Sequence, residues 1–199
     1  MKASTVVLAI VLALCGVASV VAIIAGLIYF GGRGISSRPA TDAERRLILS
    51  ATSFEKFGET LEPKCQKYTS RVNLDGTREV ELEYDCGESS AVFITSEAEI
   101  CRSVREARES FALSIGAYKA GLTIGGGTVE ARPELLSLGD QHYAALVRSG
   151  TNVVGCVFVV RQGRVVHALV TTGIYFDDPD DIRDLFAPLL EESKKQYGN

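Results

Sequence analysis

Residues 65–86 read CQKYTSRVNLDGTREVELEYDC. Polar and apolar side chains alternate on both sides of Asn73-Leu74-Asp75-Gly76-Thr77, which predicts a β-hairpin with Gly76 at the loop position that needs a positive φ. A three-residue loop sets Arg71 opposite Glu79 and Lys67 opposite Glu83 on one face. On the other face, Tyr68 and Val72 join Val80, Leu82 and Tyr84. A cysteine stands at each mouth. In this register Cys86 points to the core and Cys65 sits diagonally outward, yet Pro63 lets the chain swivel there, and Cα atoms within about 7 Å suffice for a bridge. The four cysteines beyond the N-terminal stretch, Cys65, Cys86, Cys101 and Cys156, allow three complete pairings. The favoured one is Cys65 with Cys86, leaving Cys101 and Cys156 free or paired; four reduced thiols are the alternative. A bridge here would put the domain outside the cytosol, where structural disulfides persist.

Upstream, residues 5–30 (TVVLAIVLALCGVASVVAIIAGLIYF) carry no charge. As a helix they would span about 39 Å against a hydrocarbon core of about 30 Å, so an uncleaved signal-anchor crossing the membrane once is expected. A cleaved signal peptide has a shorter apolar region, and Val17-Ala18-Ser19 as a cut site lies inside the run. Leu12-Ala13-Leu14-Cys15 is a poor lipobox, with a large residue before Cys15 and an apolar stretch after it. Type IV pilins share a long apolar N-terminal helix, but their glycine-phenylalanine processing signature and internal glutamate are missing. Ala18, Ala22 and Gly26 would form a small-residue stripe. Lys2 precedes the run while Arg33, Arg38, Arg45 and Arg46 follow it, so loop charge does not favour export, and orientation rests on the cysteines. Residues 31–40 (GGRGISSRPA) are expected to be a flexible linker, and 41–199 a single globular domain.

Charge is uneven. Of 21 Lys and Arg, only Lys2, Arg33 and Arg38 precede Ala40, leaving 18 against all 25 Asp and Glu, a net of −7 for the domain. Without basic runs, such a chain is not expected to bind nucleic acid.

Thr41 and Glu44 form a capping box, and Leu47, Ala51, Phe54, Gly58 and Leu61 recur at helical spacing up to Pro63, predicting a first helix. After the hairpin come a third strand near 91–95 and a helix bearing Val104, Ala107, Phe111, Ile115 and Tyr118, capped by Ser103 and Glu106 and stopped at Gly121. GLTIGGGTVEARP reads as loop. Strands near 142–147, 153–160 and 164–171 follow, turned at Ser149-Gly150 and Gln162-Gly163. The second places Val154, Phe158 and Val160 on one face and Val153, Val157 and Val159 on the other, so both faces require cover. A final helix begins at DDPDD with Pro179 near N1, contains Pro188, which should bend or interrupt it, and ends at Lys194 and Lys195. The expected fold class is α+β: an N-terminal transmembrane helix, then an antiparallel β-sheet of five or six strands with α-helices packed on both faces. The order of elements over residues 63–195 is similar to that of Mog1/PsbP-like domains, a likeness of architecture that implies no function.

Chemistry is sparse. The Gln162-Gly163 turn would set Phe158 opposite His167, with Cys156 a diagonal neighbour. A thiol hydrolase using Cys156 and His167 needs that pair exposed, whereas apolar strands favour a core thiol and a satisfied histidine. The DDPDD run with Asp184 offers carboxylates to calcium but lacks EF-hand spacing, and helix capping explains the same residues. Gly125-Gly126-Gly127 lacks the Lys and Ser/Thr of a phosphate loop, and His142 and His167 are too few for zinc. No catalytic residue, cofactor or metal site is therefore assigned. The expected role is a membrane-anchored, extracytoplasmic binding or accessory module with a protein partner. A small-molecule or lipid-binding sensor is the alternative, requiring an apolar pocket between sheet and helix.

Overall fold

The computed structural model describes residues 36–57, 61–86 and 92–198. Eight strands form one antiparallel sheet: β1 (Ser36–Pro39), β2 (Gln66–Val72), β3 (Arg78–Asp85), β4 (Phe93–Ile100), β5 (Thr128–Ala131), β6 (Gln141–Ser149), β7 (Asn152–Gln162) and β8 (Val165–Thr172). Their order is β1-β2-β3-β4-β8-β7-β6-β5. The chain builds outward from β1 to β4, crosses to the far edge through a helix, and meanders back until β8 closes against β4. Among the described residues both edge strands have four residues, which limits the unpaired backbone they offer to another chain. Three helices accompany the sheet: α1 (Asp42–Arg45), α2 (Val104–Ile124) and α3 (Pro179–Tyr197).

This architecture corrects the expected five- or six-stranded sheet with helices on both faces. β1 occupies the segment assigned to a linker, and β5 lies in the stretch read as loop. β4 continues to Ile100 because Ser96, Ala98 and Ile100 face the core while Glu97 and Glu99 meet hydroxyls of α2. The helix cover is uneven. α3 and the chain between Ala40 and Phe57 pack on one face, over Val80, Leu82, Ile94, Phe158, Val160 and Leu169. α2 packs Ala107 and Phe111 on the other face against Val147, Val157, Val159 and Val166 of β6 to β8, and touches β4 through the two hydroxyls that meet Glu97 and Glu99. Beyond them, β2 and β3 turn Lys67, Arg71, Glu81 and Glu83 outward, joined as Arg71–Glu81 (2.7 Å) and Lys67–Glu83 (3.9 Å). Half-exposed charged side chains give a helix no apolar surface to bury. Within residues 63–195 the Mog1/PsbP-like element order is broken by β5, which stands between the helix and the three-strand meander.

The hairpin has the register read from sequence, with Arg71 opposite Glu79 and Lys67 opposite Glu83. Gly76 has φ 85°, and the Asp75 carboxylate accepts from the Thr77 N–H (2.9 Å) and hydroxyl (2.8 Å). The first helix is short. Thr41 and Glu44 do form the capping box, but α1 ends at Arg45 and a 3₁₀ segment spans Ala51–Phe57. Leu47, Ile48 and Leu49 are all buried, and three consecutive buried residues cannot lie on one stripe of a helix. The Glu44 carboxylate clasps this segment to the sheet, accepting from Arg38 (2.7 and 2.8 Å), the Thr41 N–H (2.9 Å) and Ser70 (3.1 Å).

In β7 the expected alternation reverses. Val147 pairs with Gly155 but Arg148 with Val153, so Val154 is an extra, bulged residue. Val153 therefore packs on the Phe158 side and Val154 on the Val157 side. At α2 the Ser103 hydroxyl accepts from the Glu106 N–H (3.1 Å), while Glu106 turns to the Arg102 N–H (2.8 Å). The helix passes Gly121 and stops only where Gly126 takes φ 85°. Asp178 caps α3, Pro179 opens it, and Pro188 does not interrupt it. No helix among the described residues is long and apolar enough to cross a membrane, and the run 5–30 lies outside them.

Candidate functional site

Cys65 ends a short 3₁₀ turn begun by Pro63, so the chain does swivel there. It meets Cys86 at disulfide distance, with Cα atoms 5.0 Å apart, and both half-buried side chains pack against the core. Glu62 completes the sole group of three ligand-type side chains found close together among the described residues, but its two sulfurs face each other.

The structure does not bring Cys156 and His167 together. The β7–β8 turn centres on Gly163 and Arg164, not on Gln162 and Gly163, which sets His167 opposite Val160 and Cys156 opposite Thr171. Four residues of strand, about 13 Å, separate them. Cys156 is wholly buried, its sulfur 3.1 Å from the Thr171 hydroxyl, and burial pushes its thiol up to about 11. Cys101 is pushed up to about 12 by burial and by Glu99, Glu106 and Asp75 nearby. Neither thiol is ionised at neutral pH, and an un-ionised buried thiol is a poor nucleophile. His167 Nε2 lies 2.8 Å from the Ser193 hydroxyl beneath α3; burial lowers its pKa to about 4, although the Leu47 carbonyl opposes that. It is a neutral core residue.

The acidic run serves α3. Asp178 accepts the Asp180 N–H (2.9 Å), and Asp180 pairs with Arg183. Gly125 and Gly126 return the chain from α2, their N–H groups bonding to Gly121 and Thr123. His142 is exposed on β6.

Among the described residues, two of the open clefts lie where the hairpin tip, the start of α2 and the end of α3 converge. One, of about 300 Å³, runs between Leu74, Asp75, Glu106, Glu109 and Leu113. Asn73 lies at its base with its Oδ1 unpartnered but closed off from solvent. The other, of about 340 Å³, lies between Arg102, Val104, Arg164 and Tyr197. The pair Arg102–Glu106 (2.7 Å) divides them; its hydrogen bond holds the Glu106 carboxyl below the usual range. On the second side Arg164 stacks over Tyr197, 5.0 Å from the ring centre. Sequence reading missed this convergence because Leu74, Arg102, Arg164 and Tyr197 sit in four separate elements. The one available signal was a leucine at the tip of a polar turn. Comparison with protein-family models, curated proteins and solved structures finds no match for this chain.

Proposed function

We propose that the chain is a membrane-anchored binding or accessory module, held by residues 5–30, with its folded domain on the extracytoplasmic side and the Cys65–Cys86 bridge formed. The observation that carries this reading is the placement of those two cysteines across the mouths of β2 and β3, since such bridges endure in oxidising compartments. Action by binding to a protein partner, not by catalysis, is supported by the state of the thiols: Cys101 and Cys156 are buried and held protonated. The two clefts are shallow and charge-lined, which suits surface recognition better than enclosure of an apolar small molecule.

Two measurements test it. Alkylation in denaturant without reductant should modify three thiols, Cys15, Cys101 and Cys156; prior reduction should raise this to all five. Residues 65 and 86 are 21 apart in sequence, so opening the bridge should cost about 3 kcal/mol and lower the Tm by about 6–12 °C. The Cys65→Ser/Cys86→Ser protein should show the same lower Tm and no further response to reductant. For topology, protease added to intact cells producing the full chain should remove the domain. Protection until lysis would place it in the cytoplasm and end this reading.

A further inference from the structure

We propose that the end of the sheet from which β1 starts lies against an anionic bilayer surface, with Leu74 and Val104 as apolar contacts and Arg102, Arg164, Lys194 and Lys195 facing lipid phosphates. The inference rests on the anchor reading above.

The register fixes which end this is. Ser36 pairs with Val72, Val72 with Arg78, Arg78 with Ile100, and Ile100 with Val165. That line across the sheet brings the start of β1, the 73–77 turn, the start of α2 and the β7–β8 turn to one end. The Arg164–Tyr197 stack adds the last turn of α3. Only residues 31–35 separate Ser36 from an apolar run ending at Phe30. Fully extended, five residues reach about 17 Å, of which the headgroup layer takes about 5–7 Å. β7 alone has 11 residues, about 36 Å of strand, so the opposite end lies beyond the tether's reach.

Charge and polarity agree with that geometry. The domain is acidic, yet this end carries Arg102 (62% exposed), Arg164 and the exposed Lys194 and Lys195. The remote end holds Asp177, Asp178, Asp180 and Asp181 at the start of α3. Asp75 and Glu106 do stand among the basic groups, and Glu106 neutralises part of Arg102. Helix-dipole compensation accounts for the lysines' position but not for Leu74, 71% exposed at the tip, nor for Val104, 42% exposed at the start of α2 across the Arg102–Glu106 pair. Leu74 is flanked by Asp75, Glu106 and Glu109, whereas Val104 lies with Arg102 and Arg164, so the lipid phosphates would be met on the Val104 side and Leu74 would insert as an apolar point.

The chain has no tryptophan, so Leu74→Trp gives a single reporter, and Tyr175→Trp gives one on the loop before α3 at the remote end. The full-length proteins are reconstituted into vesicles of phosphatidylcholine, with or without phosphatidylglycerol, that carry lipids brominated near the headgroup. With phosphatidylglycerol present, the Leu74→Trp emission should be blue-shifted and quenched; without it, or for Tyr175→Trp, quenching should be lost. Raised salt should reverse it, as should Lys194→Glu/Lys195→Glu, a change at two exposed positions whose folding is checked by circular dichroism. Equal quenching in both lipids, or none above the Tyr175→Trp level, overturns the docking while protein that resists an alkaline carbonate wash keeps the anchor. Protein that washes off removes the anchor, and the docking with it.

Discussion

Gly155→Ala is expected to cost at least about 4 kcal/mol, enough to leave little folded protein at 37 °C. Gly155 follows the bulge in β7 and lies against β8, where an added Cβ would overlap the Thr171 carbonyl oxygen and come within 3.1 Å of the Thr172 Cα. The obstacles are backbone atoms of a paired strand. They cannot turn aside as a side chain would, and moving them would disturb Thr171, whose hydroxyl bonds to the Ile174 carbonyl (2.7 Å) and sits 3.1 Å from Cys156. Gly116→Ala is the control. It lies in α2 with nothing within 4 Å of the added atom, so the helix should gain about 0.5–1 kcal/mol. Urea denaturation of both variants reads the contrast; a Gly155→Ala midpoint close to that of the parent would mean that β7 and β8 do not pair as described.

The same bulge shows where sequence reading stops. The hairpin register was legible because the loop demanded a glycine at Gly76 and two faces of side chains agreed with it. The face reversal at Val153 and Val154 was not, because nothing in the residues around the β6–β7 turn marks where one strand of that hairpin takes an extra residue. Strands β1 and β5 were missed because each has only four residues: β1 (SSRP) has little intrinsic preference, and Thr128 and Val129 of β5 are too short a run to read as a strand without the partner that pairs with them. Leu47, Ala51, Phe54, Gly58 and Leu61 carried helical spacing, yet the consecutive Leu47, Ile48 and Leu49 all found burial in the core, and tertiary packing overrode propensity. A turn misplaced by one residue moved His167 two positions along β7, enough to part it from Cys156. The charged end of the sheet has no local signature, since Leu74, Arg102, Arg164 and Lys194 meet only once the sheet has formed.

Acid should destabilise the domain in two steps. Burial lowers His167 to about 4, from 6.5, so between those values the unfolded chain binds a proton that the folded one refuses. Stability from this group is complete above pH 6.5 and lost as pH falls to about 4, a change of about 3 kcal/mol. Glu44 takes over below. Burial alone would raise its carboxyl, but the hydrogen bond from Arg38, with those from Thr41 and Ser70, holds it at about 2 against 4.5. Its stabilisation is complete above pH 4.5 and disappears as pH falls to about 2, a further loss of about 3 kcal/mol. Together these losses rival the whole stability of a typical domain, about 5–15 kcal/mol, so unfolding near pH 3 is expected. Urea-derived stabilities at pH 7.5, 5.5, 4 and 3 would trace both limbs. Replacing the histidine as His167→Gln keeps a hydrogen-bonding group near Ser193 without a titrating ring, and should flatten the limb above pH 4 while leaving the lower one. Glu44→Gln should do the converse, weakening the clasp to Arg38 at neutral pH. If stability does not change between pH 7.5 and 4, then His167 is reached by water in the folded state, and the layer formed by α3 and residues 41–49 does not seal that face of the sheet.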